Sequence, residues 1–372
     1  MKRKLDWTYF FSLFASIALA LLVGALIMAV TGHDPAAAYM EMVKGATGCG
    51  TWQEFFTELF TKRQFGNTIE YAMVLFLTGL ACAIGARVGI FNVGGEGQLY
   101  LGAIVAGYLG VVLGGRSPWT VIPAAALGAM AAGGFYAWIP GVLKVKLKVN
   151  EVITTIMMNS IAIYFCAYLS NGPWKTSQPN RVSGTEPLAK ELMFEKLIRG
   201  SNLTTAIYVS AVIALLVWYV MSKTATGYEM KLTGHNPRFA RYAGLKTDRL
   251  VIGAMVVSGM ICGLVGMFEV YGLKGNYQDG ISNEYYFDGL LVAMIMRYQP
   301  VGIILMSFGF AFLKVGAAGM ELNAGVPGEL YRIIQAVIIF FMAAQSGVSA
   351  MLKAKMTGRK RARKGKGGAV NG

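Results

Sequence analysis

Long apolar runs separated by short polar segments dominate this sequence from residue 7 to about residue 352. Most runs approach the ~20 helical residues needed to cross a hydrocarbon layer about 30 Å thick. None shows the two-residue alternation of a barrel strand. The sequence therefore predicts an all-α, polytopic transmembrane helical bundle of about ten spans. The runs lie at residues 7–30, 68–90, 96–115, 119–142, 151–170, 203–222, 250–273, 284–298, 300–320 and 329–352.

The composition changes this picture little. Of 372 residues, 55% are hydrophobic and 14% are charged, whereas a soluble domain has about 25% charged residues. The first run is longer than the apolar core of a cleavable signal, so we expect a retained first helix. Four scattered cysteines form no C-x-x-C pattern, and we expect no disulfide framework, no metal site and no cofactor.

The net charge of +15 predicts orientation, not nucleic-acid binding, because the basic residues lie between the apolar runs. Lys and Arg concentrate on cytoplasmic loops. With ten spans, the more basic side is the one that holds both termini, so both termini are expected in the cytoplasm. We expect a transmembrane permease domain over 1–352, with a long inner loop at about 223–249, and a basic disordered cytoplasmic tail over 353–372.

A weak internal sequence similarity links the two halves of the chain. The run Gly-Leu-Ala-Cys at 79–82 precedes a glycine-rich stretch at 94–97, and Gly-Met-Ile-Cys at 259–262 precedes a polar stretch at 282–289. The second and seventh spans run in opposite directions in the predicted topology. The similarity therefore suggests an inverted-repeat organisation, a common construction in transporters.

The first candidate site is the polar, glycine-rich stretch at 91–98, which contains Asn92, Glu96 and Gln98. A carboxylate near the centre of a bilayer costs about 2.5 to 3.5 kcal/mol, so Glu96 needs a partner, a cavity or the interface. Three glycines within 94–97 weaken a continuous helix. Two interpretations stay open: a discontinuous helix along a permeation path, or a simple interfacial turn.

The second candidate is a polar stripe at the start of the fifth span. Glu151, Thr155 and Asn159 follow one another at intervals of four residues, which places them on one face of a helix. Such a stripe either packs against another helix through hydrogen bonds or faces a water-filled path.

The third candidate lies in the long inner loop. Asn236 suits an N-cap, Pro237 suits the first helical position and Gly244 suits the residue just beyond the end, so the loop is predicted to contain a short helix of about six residues. This helix either docks into a soluble partner through Phe239, Tyr242 and neighbouring arginines, or rests on lipid headgroups.

A fourth polar stretch, 282–289, precedes an unusually short apolar run, and Glu269 is a further acid within the seventh span. Interrupted spans in matching positions point to a transport site. The sequence contains no G-x-x-x-x-G-K-[ST] phosphate loop, so ATP hydrolysis by that chemistry is not expected of this chain. No catalytic residue is legible, and we expect a transport subunit and not an enzyme.

With these residues in view, the chain resembles the membrane permease subunit of a bacterial ABC importer of the nucleoside and simple-sugar group. The resemblance runs from about 67 to 350. It rests on Phe-Asn-x-Gly-x-Glu-Gly-Gln at 91–98, Asn-Glu-Val-Ile-x-Thr-Ile-Met-x-Asn at 150–159, Gly-x-Asn-Pro-x-x-Ala-Arg-Tyr-Ala-Gly at 234–244, the run at 258–266 and Phe-Asp-Gly-Leu-x-Val-Ala at 287–293. The first two motifs favour the nucleoside branch.

The resemblance implies a multi-pass protein of the bacterial inner membrane. It also implies a second permease, often a different chain, a cytoplasmic ABC ATPase and an extracytoplasmic substrate-binding lipoprotein. The expected substrate path comprises Asn92, Glu96, Gln98, Thr155, Asn159 and Glu269. The expected ATPase contact comprises Gly234, Asn236, Pro237, Arg238, Arg241 and Gly244. The alternative is an ion-coupled secondary transporter in which Glu96, Glu269 or Asp288 binds H⁺ or Na⁺.

Overall fold

The computed structural model describes residues 7–178 and 184–342, with side chains from residue 15 onward. Fourteen α-helices lie within these ranges. They are α1 (Trp7–Val30), α2 (Pro35–Thr47), α3 (Trp52–Glu58), α4 (Arg63–Arg87), α5 (Gly95–Val112), α6 (Pro118–Leu147), α7 (Glu151–Asn171), α8 (Ala206–Lys223), α9 (Ala225–His235), α10 (Pro237–Tyr242), α11 (Thr247–Glu269), α12 (Tyr285–Ile295), α13 (Pro300–Ala324) and α14 (Leu330–Met342).

The prediction of a helical membrane bundle is confirmed. Each of the ten predicted runs overlaps one of these helices, and two isolated bridges are the only β-structure in the described ranges. By length and composition, six helices can cross a membrane: α4, α6, α7, α8, α13 and α11 with its extension to Lys274. Shorter apolar helices are Ala15–Val30, α12 and α14. The predicted basic tail at 353–372 lies outside the described residues.

Three helices were predicted neither from the apolar pattern nor from capping residues. They are α2 and α3, which precede α4, and α9, which precedes α10. Polar residues at their starts explain two of them: the Thr51 hydroxyl accepts a hydrogen bond from the Glu54 amide at 3.3 Å, and the Thr224 hydroxyl accepts one from Gly227 at 3.2 Å. Side-chain caps of this kind specify short helices without a long apolar run.

The chain divides into two compact units. The smaller comprises Met1–Met42 and Ala317–Gly372, and the larger comprises Val43–Gly316. Within the smaller unit, the Tyr39 hydroxyl donates to the Leu21 carbonyl at 2.5 Å. The Asn323 side-chain amide donates to the Glu41 carboxylate at 2.9 Å.

In the larger unit, α11 packs against α5 and α6 with glycine at the points of contact. A Cβ on Gly263 would meet the Ala129 carbonyl of α6, and one on Gly102 of α5 would meet the backbone of Gly263. Gly133 and Gly259 approach each other in the same way. Within lipid, small residues of this kind let helix backbones come close enough for extensive van der Waals contact.

In each half of the larger unit, the first helix packs against a helix of the other half. The first helix of one half, α4, packs against α12, where a Cβ on Gly79 would lie 3.0 Å from the Gly289 carbonyl. The first helix of the other half, α11, packs against α5, where a Cβ on Gly266 would lie 2.7 Å from the Ala103 nitrogen. This reciprocal pairing agrees with two intertwined repeats, and the inverted repeat itself stays a prediction.

Candidate functional site

The chain re-enters the bundle between α4 and α5. Helix α4 ends at Arg87, and Gly89 takes a positive φ of 81° that favours glycine. We call residues 89–98 the re-entrant stretch, and its first residues turn back along α4, where a Cβ on Gly85 would lie 3.1 Å from the Ile90 carbonyl oxygen. Asn92 on this re-entrant stretch is fully buried, and its side-chain amide donates to the hydroxyl of Ser258 at 2.9 Å. Ser258 is the central residue of α11. The stretch is therefore buried against the middle of α11.

Asn92 also organises the start of α5. Its amide donates to the Gln98 side-chain oxygen at 3.0 Å, and its own oxygen accepts from the Gln98 amide at 3.2 Å. The same oxygen accepts from the Gly94 backbone N–H at 3.0 Å. Two buried amides thus satisfy each other and the first turn of the helix, as buried polar groups must.

Glu96 joins the start of α5 to the start of α12. Its carboxylate accepts from the backbone N–H of Tyr286 at 3.1 Å. In return, the Tyr286 hydroxyl donates to the backbone carbonyl of Asn92. Both Glu96 and Tyr286 are buried. The acid therefore has a partner inside the protein, because orphan N–H groups at a helix N-terminus attract a carboxylate.

The predicted polar stripe of α7 packs against this re-entrant stretch. The Asn159 side chain accepts from the Gly97 N–H at 2.8 Å and donates to the Val93 carbonyl at 2.9 Å. The Thr155 hydroxyl accepts from the Val93 N–H at 3.3 Å. Glu151, at the helix start, pairs instead with Lys144 at 2.6 Å. The structure thus favours the interpretation that the stripe makes interhelical hydrogen bonds.

We call the set joined by these bonds the polar junction: Asn92, Glu96, Gln98, Thr155, Asn159, Ser258 and Tyr286. All seven are at most 6% exposed. Their side chains bond mainly to one another and to nearby backbone, so five of the six predicted path residues come together. In this structure they hold α5, α7, α11 and α12 in register, and their contact with substrate stays a prediction.

The glycines of the re-entrant stretch serve close packing. A Cβ on Gly95 would fall on the ring of Tyr286, and one on Gly97 would lie 3.0 Å from the Cα of Asn159. No side chain fits at either place without moving α12 or α7. The sequence showed that glycine weakens the helix here, but it did not show which helices press against it.

Ser258 and Tyr286 are the members that sequence reasoning missed as site residues. Ser258 lies in a run quoted only as a motif, and Tyr286 lies in the polar stretch before the short span. A lone serine in an apolar helix and a tyrosine near a helix start are common, so neither carries a distinctive signal. The motif that contains each was the available clue.

Glu269 does not join the polar junction. It ends α11, about 16 Å along the helix axis from Ser258 at about 1.5 Å per residue. Its side chain is 1% exposed and lies beside that of Glu70. Asp288, the other acid considered for ion coupling, accepts from the Tyr71 hydroxyl at 2.8 Å.

The short helix predicted in the long loop is confirmed as α10, and the side of the membrane on which it lies stays a prediction. The Asn236 side chain accepts from the Phe239 N–H at 3.0 Å, Pro237 is the first helical residue, and Gly244 takes a positive φ of 83°. We call residues 234–244 the loop segment. Phe239 and Tyr242 are 56% and 92% exposed. These aromatic side chains lie open to solvent or to a partner.

Two contacts hold the loop segment to the bundle. The Arg241 guanidinium donates to the Thr247 hydroxyl at 2.9 Å and pairs with Asp248 at 2.6 Å, which attaches α10 to the start of α11. At the other end, a Cβ on Gly234 would lie 3.0 Å from the Gly89 nitrogen. Gly89 begins the re-entrant stretch, so the loop segment touches the chain three residues before Asn92.

Comparison with known proteins adds to this geometry. A family model described as "Branched-chain amino acid transport system / permease component" matches residues 64–343. The chain is 33% identical to the guanosine ABC transporter permease protein NupP of Bacillus subtilis, over 90% of this chain and 92% of that protein. It is 30% identical to the nucleoside ABC transporter permease protein NupB of Lactococcus lactis, over 95% and 96%. It is also 30% identical to the glucose ABC transporter permease protein TsgB13 of Haloferax volcanii, over 88% and 85%.

Proposed function

This chain belongs to the family of branched-chain amino acid transport system permease components, and from that membership we propose that it is the permease subunit of an ATP-driven ABC importer for nucleosides. A related simple sugar is the other substrate class. Transport is by alternating access, and this chain makes no covalent bond to the substrate.

The observation that carries the proposal is the loop segment and its contact with the re-entrant stretch. Phe239 and Tyr242 are exposed on a capped helix, which suits docking of a small amphipathic helix into a groove on a soluble protein. Gly234 lies against Gly89, at the start of the stretch that carries Asn92. A displacement of α10 by a bound partner would therefore be transmitted through the Gly234–Gly89 backbone contact to the buried stretch that carries Asn92.

The energy source is proposed to be a separate cytoplasmic ATPase, since this sequence has no phosphate loop. Gly234, Asn236, Pro237 and Gly244 set the shape of the contact helix. Arg241 anchors the helix to α11, and Arg238 supplies exposed positive charge. In this proposal Arg238 touches the ATPase, whereas the other residues hold the contact helix in shape and in place.

The polar junction is the proposed moving part of the substrate path. Two helix N-termini meet there, at Glu96 and Tyr286, and discontinuous helices of this kind form sites in many transporters. In the present structure the amides of Asn92, Gln98 and Asn159 are occupied by protein groups. Separation of α5 from α12 would free the Glu96 carboxylate, and separation of α5 from α7 would free the Asn159 amide, for the hydroxyls and ring nitrogens of a nucleoside. Glu269 would line the path farther along α11.

The proposed assembly contains a second permease, which is a different chain, and an extracytoplasmic substrate-binding lipoprotein. The excess of basic residues on one side favours placing the loop segment and both termini in the cytoplasm of a bacterial cell. Nucleosides are favoured as substrates because two of the relatives carry guanosine and nucleoside in their names.

The test is uptake of labelled guanosine into proteoliposomes. One set contains the chain alone under an imposed H⁺ or Na⁺ gradient. The other contains it with the second permease, an ABC ATPase and a substrate-binding lipoprotein from the same organism. We expect uptake only in the second set, and only with ATP. Uptake by the chain alone would overturn the proposal in favour of an ion-coupled carrier. Unlabelled glucose as competitor separates nucleoside from sugar transport.

A further inference from the structure

An apolar groove lies on the side of the larger unit between α8 and α11, away from the polar junction. Its volume is about 460 Å³, within the range of about 300 to 1,000 Å³ that is usual for ligand sites. Ile84 of α4 and Met130 of α6 contribute to its lining, and Thr226 and Met230 of α9 lie at one end. We call this feature the lateral groove.

The groove is long along the helix axis. On α11 its lining runs from Arg249 to Leu264, a rise of about 22 Å at about 1.5 Å per residue. One leaflet of the hydrocarbon core is about 15 Å deep, half of about 30 Å. The groove therefore has the length needed for an acyl chain that descends from one surface of the membrane.

Polar side chains are confined to one end of the lateral groove. Its lining is apolar except for Arg249 and Thr226, at the start of α11 and of α9. Arg249 is exposed and has no ion pair with an acid among the described residues. The neighbouring Asp248 is already paired with Arg241 at 2.6 Å. The mouth of the groove is therefore positively charged while its length is apolar.

We propose that the lateral groove binds an anionic phospholipid, with an acyl chain along α11 and the headgroup phosphate on Arg249. An acyl chain needs no polar partner along its length, and a phosphate accepts two parallel hydrogen bonds from a guanidinium. The Thr226 hydroxyl is a further donor at the same end. In the proposed orientation this end faces the cytoplasmic leaflet, whose negative surface potential attracts basic side chains.

The occupied groove would also support the loop segment. Met230 lies on α9, and α9 leads directly into α10. A bound acyl chain would fill the space beneath α9 that is otherwise open. The lipid is thus expected to stabilise the helix pair that carries the exposed aromatic side chains.

The test uses the full-length chain in nanodiscs of phosphatidylcholine alone or of phosphatidylcholine with phosphatidylglycerol, followed by native mass spectrometry of retained lipid. We expect phosphatidylglycerol to be retained in preference to phosphatidylcholine. Arg249→Gln should weaken that preference about tenfold, since a charge-assisted hydrogen bond is lost. Arg116→Gln, the same change at an exposed arginine outside the groove, is the matched control.

A second pair of variants tests the apolar part. Nothing lies within 4 Å of a Cβ built on Gly253, which lines the groove, or on Gly309 of α13, which does not. Both positions therefore have room for a larger side chain. Gly253→Leu should fill the groove and abolish retention of either lipid, whereas Gly309→Leu should retain lipid as the unaltered chain does.

Equal retention of the two lipids by the unaltered chain, or full retention by Gly253→Leu, would overturn the proposal. Cross-linking of a photoactivatable phosphatidylglycerol to the unaltered chain gives a reading that needs no variant. Labelled peptides from 213–230 or 249–264 support the site, and labels confined to other helices contradict it. A dimer that shields Gly253→Cys from thiol reagents would assign the groove to a second copy instead.

Discussion

The stretch at 91–98, which supplies Asn92, Glu96 and Gln98 to the polar junction, resembles the loop segment in sequence, yet the structure uses the two in opposite ways. Both are glycine-bearing polar stretches beside apolar runs. The junction is at most 6% exposed and its polar side chains bond within the protein, whereas Phe239 and Tyr242 of the loop segment are 56% and 92% exposed. Stretches of similar composition can therefore do different work. In one place the polar side chains bond helices to one another inside the protein, and in the other the aromatic side chains form an exposed surface.

If the polar junction is a closely packed core, the glycines beside it should tolerate a larger side chain least. Gly95→Ala places a methyl group on the Tyr286 ring, and overpacking of this kind costs about 1 to 3 kcal/mol or more. We expect the largest fall in thermal midpoint here, measured in detergent. Gly309→Ala is the control, because its Cβ would meet nothing within 4 Å. Equal midpoints for the two variants would show that α5 and α12 are not in contact.

Loss of hydrogen bonds in the polar junction should have the next largest effect on stability. Asn92→Ala leaves the side chains of Gln98 and Ser258 without their buried partner, and an unsatisfied buried group costs about 1 to 3 kcal/mol. We expect a clear loss of stability by thermal unfolding. Gln53→Ala, at an exposed amide on α3, should change little. An unchanged midpoint for Asn92→Ala would mean that water replaces the missing amide and that the site is open.

A smaller effect is expected in the loop segment. Asn236→Ala removes the cap of α10, whose loss costs about 1 kcal/mol in typical helices. Hydrogen exchange should become faster at the amides of residues 237–242, while the amides of α11 keep their protection. Unchanged exchange in α10 would indicate that the Arg241 contacts alone hold the helix.

Substitution of Tyr242 should have the smallest effect on stability. It should have a large effect on association with the proposed ATPase. The Tyr242 side chain is 92% exposed, and exposed substitutions usually change stability by less than about 0.5 kcal/mol. Tyr242→Ala should unfold like the unaltered chain but lose co-purification with the ATPase. Tyr228→Ala, also exposed and on α9, should keep it. Undiminished association of Tyr242→Ala would count against the loop segment as the contact.

Local sequence rules predicted much of the fold and part of the site. Asn236, Pro237 and Gly244 act on their own neighbours, so the short helix could be predicted from chain order alone. The same holds for the apolar runs, whose lengths match the bilayer. The partners of Asn92 could not be predicted, because Ser258 lies 166 residues away.

The sequence by itself determined that this protein is a helical membrane permease, because hydropathy, charge and short motifs act along the chain. Only the tertiary structure decided that Glu96 meets Tyr286, that Glu269 lies apart from the junction and that Arg249 opens onto an apolar groove. These contacts depend on which helices of one half pack against helices of the other half. That packing is set by close glycine contacts between segments far apart in the chain. No local pattern specifies such contacts, because each needs the shapes of two surfaces at once.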